Sequence, residues 1–586
     1  MSKTKKKKQL SEDEIIKRSQ KKDISTALAN MGFKRLSGIA DRNFTYKERQ
    51  TDIDDFYVYE NIVLLIEYTT ASDVSKHLVP KSVFYDLVDR SHADFVSYML
   101  SNPLFVSFKD YYEQGGYTKN QIRIRILYCS LQPVDKKHKK LFENNQTLLF
   151  YDYEIAYYFK QLASVIKHSA KYEFFMFLNI NHSDIGPIDV SSSSVFQGDI
   201  LPVEKSSFKS GYNVVSFYID AESLMRRAYV LRQESWRYSN AGGLYQRMII
   251  GKKINSMRKY LSSEGRVFIN NIIATISKGS AKLLDDNGNV IEIDNQGQFV
   301  GNESGYDKIK PTRVQIEDKP NVIGIIDGQH RVYAYHEGTD LYEDNIKIIR
   351  KKQHLLVTAV LFPESESVFE RQKFEATLFK EINNTQSNIS SALKQQIELM
   401  ISPFSSTAIS KCILNSLNDN GPLHNHIELH SYDKGKIKTA SIVSFGLQPL
   451  VKFDDSSESD SFFKIWKNDR KNALKEVDCN DLVLRNEYIE FCSNELIQLF
   501  IALEKIVPNG TWHSYNPSTK EGYLSVTFIN GFLNLMRCII KNQKCTLTSD
   551  EYYEKMKNLD FEKLKQYKSS QYNKMGHYVY EEYILK

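Results

Sequence analysis

Apolar positions recur at helical spacing from Ile24 to Met31 and stop at Gly32. Two apolar runs follow, Phe56 to Tyr59 and Ile62 to Tyr68, hinged at Glu60 and Asn61. That order predicts a helix followed by a β-hairpin. Ser82 to Leu100 again repeats with a helical period, Ile122 to Cys129 alternates as a strand does, Tyr153 to Lys167 returns to helical spacing, and Phe174 to Leu178 reads as a strand. Together these elements predict one α/β domain in the first 180 or so residues. Residues 186–212 are rich in Ser, Gly and Pro and read as a long loop within a connector.

Beyond the connector, Leu244 to Leu261 predicts a helix and Phe268 to Ile276 a strand. Asp285 to Ile293 predicts a protruding hairpin, because Asn287-Gly288 suits a tight turn. Val322 to Ile326 is a short apolar run that passes directly into Asp327-Gly328-Gln329-His330-Arg331 and a helix, and Leu355 to Leu361 reads as a buried strand. From Phe369 onward the period is mostly helical. The expected organisation is therefore a basic tail (1–22), an α/β domain (23–185), a connector (186–243), an α+β domain (244–450) and a helical C-terminal region (451–586), a multi-domain α/β chain.

Length agrees with several units, since 586 residues exceed what a single core organises. With 41% hydrophobic and 26% charged residues, the composition excludes a disordered chain. No apolar run reaches the eighteen residues of a spanning helix, and the N-terminus has no apolar signal segment, so a cytoplasmic protein with no membrane contact is expected. Six cysteines without a CxxC pair read as packing residues. A net charge of +6 is modest, but Lys3, Lys5 to Lys8, Lys17, Arg18, Lys21 and Lys22 cluster at the front, as a solvated tail or a phosphate-backbone contact.

Two constellations carry chemistry. In the first, Asp52-Ile53-Asp54 enters one strand of the predicted hairpin and Glu67 leaves the other, so Asp54 and Glu67 meet at one hairpin end. Two carboxylates there can hold a Mg²⁺ that activates water against a phosphodiester. In the second, a strand ending at Ile326, a turn at Asp327 and Gly328 and a helix opening at Gln329 gather backbone amides at one point. His330 and Arg331 there offer a proton carrier and a phosphate clamp. Two further patterns are set aside: His424, His426 and His430 with Glu428 as a metal site, and the aromatic helix at Tyr153 to Phe159 as a base-stacking surface, where core packing is the plainer reading.

The first constellation resembles the PD-(D/E)xK restriction-endonuclease fold. That fold usually places a lysine two residues after the glutamate, where this chain has Thr69. The resemblance then implies a lysine from the next helix, with Lys76 the nearest candidate and Lys81 behind it, and an acidic residue on the first helix, for which Asp23 is the close candidate. The second resembles the DGQHR-domain family, on the run Ile325 to Arg331 and on Phe379-Lys380-Glu381-Ile382-Asn383-Asn384-Thr385-Gln386, with Tyr245-Gln246-Arg247 at the expected entry helix. Members of that family are similar to the ParB and sulfiredoxin superfamily, and several, like the DndB-type proteins, accompany DNA phosphorothioation or defence islands.

The DGQHR resemblance implies a nucleotide- or DNA-backbone-binding site at Asp327, Gly328, Gln329, His330 and Arg331, faced by Asn383, Thr385 and Gln386, with Gln246 and Arg247 of the entry helix also among the phosphate-binding residues. The resulting expectation is a prokaryotic DNA-modification or phage-defence protein. Asp54, Glu67 and Lys76 would cleave DNA with Mg²⁺, and the DGQHR module would bind an NTP or DNA and gate cleavage. The alternatives are a non-catalytic DNA-binding regulator and an NTPase without nuclease activity. Partner proteins encoded alongside, and a homo-oligomer, are compatible with all three.

Overall fold

The computed structural model describes residues 11–71, 73–132, 134–181, 184–186, 193–208, 210–230, 248–300, 309–386, 391–428, 435–476, 479–516, 519 and 521–586. The chain is mixed α/β and divides into two compact units, one comprising the described residues up to Arg371 and the other those from Gln372.

The first unit opens with α1 (Glu12–Asn30), started by a capping box in which Ser11 and Glu14 satisfy each other's backbone amides. The predicted tail at 1–22 is thereby corrected. Residues 12–22 are helical, and Lys17, Arg18, Lys21 and Lys22 sit on α1. A five-stranded sheet follows, formed by β1 (Lys34–Arg35), β4 (Asp55–Tyr59), β5 (Ile62–Thr69), β6 (Arg123–Ser130) and β7 (Leu148–Tyr151) in that spatial order. A two-stranded ribbon of β2 (Phe44–Tyr46) and β3 (Arg49–Thr51) stands beside it. β4 and β5 form the expected antiparallel hairpin, and β5, β6 and β7 run parallel.

All eight residues of β5 are buried because both sheet faces are covered, which is why the strand reads as a nearly continuous apolar run. Ile62, Leu64, Ile66 and Tyr68 face the core under α1 and α3 (Tyr153–Ile166). Val63 and Leu65 face the opposite core, under α2 (Ser75–Arg90). Period-two alternation therefore turns Glu67 toward the α2 side. Of Phe174 to Leu178, expected as a strand, residues 174–177 belong to the short helix Lys171–Phe177 and Leu178 caps its C-terminus.

The predicted connector is corrected as well. β8 (Ser193–Leu201), β9 (Asn213–Asp220) and β10 (Ala228–Tyr229) are strands of an eight-stranded sheet that also contains β11 (Ile272–Ser277), β12 (Ala281–Leu284), β13 (Lys310–Glu317), β14 (Ile323–Asp327) and β15 (His354–Phe362). Its order is β10-β14-β11-β15-β9-β8-β13-β12. Helix α4 (Gly251–Glu264) leads into this sheet, α5 (Gln329–Tyr333) follows β14, and α6 (Glu343–Lys352) precedes β15.

The second unit is helical, and the boundary at 371/372 replaces the one expected at 450/451. Its core surrounds the helix Val526–Gln543, buried on nearly every side, with Leu482–Ile506 and Ser406–Asn420 contributing apolar faces. Among the described residues no single helix is long and apolar enough to cross a membrane.

Candidate metal and phosphate sites

The hairpin register fixes the first site. Asp55 pairs with Ile66, so Asp54, one residue before β4, reaches the end of β5, where its Oδ2 accepts a 2.7 Å hydrogen bond from the Tyr68 amide. The neighbouring aspartates point elsewhere. Asp55 accepts from Arg35 and from the Tyr68 hydroxyl, and Asp52 lies 3.0 Å from Lys81 Nζ. Asp54, Glu67 and His77 each present one ligand atom, all within 4.8 Å of one another.

Helix α2 supplies two further partners, Lys81 and His77. Leu78, Phe84, Tyr85 and Val88 mark its buried stripe, and Lys81, at i+3 from Leu78, lies on it. Lys81 Nζ donates to Glu67 Oε2 at 2.5 Å and to the Asp52 carbonyl at 3.1 Å. Lys76 falls on the exposed face with Val79 and Val83, so the lysine at the carboxylates is Lys81 and not Lys76. His77, four residues before Lys81, was not foreseen, because a single histidine carries no spacing signal. The i, i+4 pair His77 and Lys81 directly after the Glu67 strand is the trace it leaves. Thr69 cannot replace the lysine; its hydroxyl accepts from the Ala71 amide. Asp23, the acidic candidate on α1, is paired with Lys160 at 2.7 Å.

Burial sets the electrostatics. Glu67 is 1% exposed. Desolvation pushes its carboxyl up to about 8; Lys81 opposes this, and Asp54 and Asp52 reinforce it. Desolvation likewise raises Asp54, against the Tyr68 amide and Lys81. It lowers His77, aided by Lys81, which leaves a neutral imidazole able to ligate a cation. Lys81 stays charged, since Glu67 and Asp52 outweigh the cost of its burial. Glu67 Oε1 and His77 Nδ1 are buried without a hydrogen-bond partner. Two carboxylates and an imidazole that lack positive charge are a donor set that fits a divalent cation. The nitrogen donor favours Mn²⁺ or Zn²⁺ over the Mg²⁺ expected from two carboxylates alone.

The DGQHR segment forms the expected strand, turn and helix, but its side chains are engaged internally. Arg331 Nη2 donates to Asp327 Oδ2 and to the Asn271 carbonyl, both at 2.9 Å. His330 Nε2 accepts from the Ile250 amide at 3.1 Å, which places the ring proton on Nδ1. Gln329 is half-buried. Gly328 has φ +100°, and a Cβ there would stand 2.6 Å from Ile272 Cδ1. The residues after α5 are held by two buried arginines. Arg258 donates to the carbonyls of Ala334 and His336 and pairs with Asp340 and Glu343; Arg350 donates to the carbonyls of Tyr335 and His336 and pairs with Glu343. These cations sit at the carbonyl end of the helix, where they stabilise it.

Asn383 lies in the second unit, and its amide donates to the Phe379 carbonyl of its own helix at 3.0 Å. Gln246 and Arg247, the side chains of Thr385 and Gln386, and His430 fall outside the described residues. His424 accepts from Asn425 and does not belong to the metal-competent group. Comparison of the chain with protein-family models, with curated proteins and with solved structures finds no match.

Proposed function

We propose that this protein is a divalent-metal-dependent nuclease acting on DNA, with its chemistry in the front sheet and the DGQHR segment as a regulatory element. The observation that carries this reading is the convergence of Asp54, Glu67 and His77 within 4.8 Å, with Lys81 on Glu67. These three residues would hold the cation, which supplies positive charge to polarise a phosphodiester and to lower the pKa of water.

The chain's own residues do the rest. Lys81 keeps Glu67 oriented and places a permanent cation beside the carboxylates, where a phosphate's developing negative charge would be met. Lys17 acts electrostatically on both Asp54 and His77, and Lys21 donates to the Asp54 carbonyl, so α1 adds cations on the flank that a DNA backbone would approach.

The DGQHR segment enters as regulator because its helix end is joined to the front layer. Glu337 pairs with Lys171 at 2.8 Å, and its amide donates to Ser169. A nucleotide or DNA phosphate at the Asp327–Arg331 turn would compete for the contacts of Arg331 with Asp327 and Asn271, at the start of the segment that ends at Glu337. A second reading, a non-catalytic DNA-binding regulator, is favoured by one observation: Lys81 already neutralises Glu67, as in a structural ion pair.

The test is cleavage of modified and unmodified DNA with Mg²⁺ or Mn²⁺, with and without ATP, GTP or CTP, by wild type and Glu67→Ala. Cleavage lost in the variant supports the nuclease. DNA binding without cleavage under every condition selects the regulator, and nucleotide turnover that survives Glu67→Ala without any cleavage selects an NTPase.

A further inference from the structure

A cavity of about 240 Å³ opens between α1 and α3 at the ends of β6 and β7, on the sheet face opposite Glu67. We propose that it is a nucleobase pocket that seats one base of the bound nucleic acid, a ligand identity that rests on the nuclease reading above. Its size lies below the roughly 300–1,000 Å³ of sites for drug-sized ligands and suits a single ring system.

Two residues of its wall each carry a buried polar atom without a partner. Gln20 is 7% exposed, and its Nε2 donates to the carbonyls of Cys129 at 3.0 Å and Thr69 at 3.3 Å. Both partners are acceptors, so the amide orientation is fixed and Oε1 is the atom left over; no donor reaches it. The Tyr151 hydroxyl, in a residue 1% exposed, is equally unpaired. An unmet buried polar group costs about 1–3 kcal/mol, which a ligand carrying N–H groups would recover.

Aromatic rings frame the opening. Along α3, Tyr158 and Phe159 are buried in the core, whereas Tyr153 is 48% exposed and Tyr157 half-buried, and both line the cavity. The rings of Tyr153 and Tyr157, at i and i+4, lie 6.3 Å apart and are inclined by 39°. Such a pair offers a stacking surface indifferent to base identity, while Gln20 Oε1 selects for an amino or imino donor. Lys160, paired with Asp23 at the rim, supplies a cation for the attached phosphate. Placement completes the case: Gln20 bonds the carbonyl of Thr69, two residues beyond Glu67, so the pocket and the carboxylates share one strand end.

The experiment is calorimetric titration of the full chain with adenosine, cytidine and N6,N6-dimethyladenosine. The last of these has lost the exocyclic donor. Adenosine is expected to bind, and the dimethyl analogue to bind at least about tenfold more weakly. Tyr151→Phe removes only the unpaired hydroxyl and Tyr153→Ala only a surface ring, so neither threatens folding; each is expected to weaken adenosine by a similar factor. Glu67→Ala is expected to leave nucleoside binding unchanged. Absence of binding by every nucleoside, or affinity untouched by Tyr151→Phe and Tyr153→Ala, overturns the pocket. Loss of binding in Glu67→Ala also overturns it, by moving the ligand to the metal site. Nucleoside binding that behaves as expected without any DNA cleavage leaves the pocket standing and removes the nuclease.

Discussion

Lys81 Nζ lies 2.5 Å from Glu67 Oε2, and Glu67, Asp54 and His77 present ligand atoms within 4.8 Å of one another. Lys81→Met is therefore expected to reduce metal-dependent DNA cleavage by about 10²- to 10³-fold, the usual cost of losing one electrostatic stabiliser. Lys76→Met, on the exposed face, is expected to remain within twofold of wild type. Parallel cleavage rates for the two variants decide the matter; equal losses would remove Lys81 from the chemistry.

The donor set predicts a metal effect that needs no activity. Mn²⁺ at about a hundred times its dissociation constant should stabilise the fold by about 2.7 kcal/mol, seen as a rise in melting temperature. His77→Ala and Asp54→Asn are expected to abolish that rise. A shift of the same size in both variants would place the cation elsewhere.

How much of this was legible follows from periodicity. Asp54 and Glu67 were readable because a two-residue hinge at Glu60 and Asn61 fixes the register, and alternation then fixes the face. The lysine was misplaced because proximity in sequence was preferred to helical phase. The stripe Leu78, Lys81, Tyr85 and Val88 was present in the sequence and pointed to Lys81. Phe174 to Leu178 misled for a different reason: Phe174, Phe175 and Phe177 are all buried, and a short helix buried all round shows no period to distinguish it from a strand. β9 alternates cleanly, but the Ser- and Gly-rich stretch before it hid it within a connector. The internal wiring of Arg331 to Asp327 and Asn271 depends on long-range packing, which no local pattern reports.

Gly328 is expected to tolerate no side chain. Its φ of +100° and the 2.6 Å approach of a Cβ to Ile272 Cδ1 together predict that Gly328→Ala costs about 1–3 kcal/mol. Urea unfolding monitored by circular dichroism measures this. A variant as stable as wild type would mean that the turn relaxes.

His336 gives the protein a pH dependence with a defined sign. The ring is 2% exposed. Burial, and then the Arg258 guanidinium, lower its pKa to about 3 from an ordinary 6.5. The unfolded chain therefore binds a proton below about pH 6.5 that the folded chain refuses. Stability is fully present above 6.5 and falls as the pH drops toward 3, by up to about 1.4 kcal/mol per pH unit. Asp340, held low by Arg258 against its own desolvation, and Glu337, held low by Lys171 against the same penalty, lose stabilisation in the same direction, but only as the pH passes into the carboxylate range. The window between about pH 4.5 and 6.5 thus separates His336 from them. His336→Gln keeps a donor for the Tyr333 carbonyl, which His336 Nδ1 meets at 2.9 Å, and cannot titrate. Denaturant unfolding at several pH values across that window is expected to show a shallower slope for the variant than for wild type. Equal slopes would mean that His336 takes up its proton in the folded state, with Arg258 and Arg350 displaced from the carbonyls they now hold.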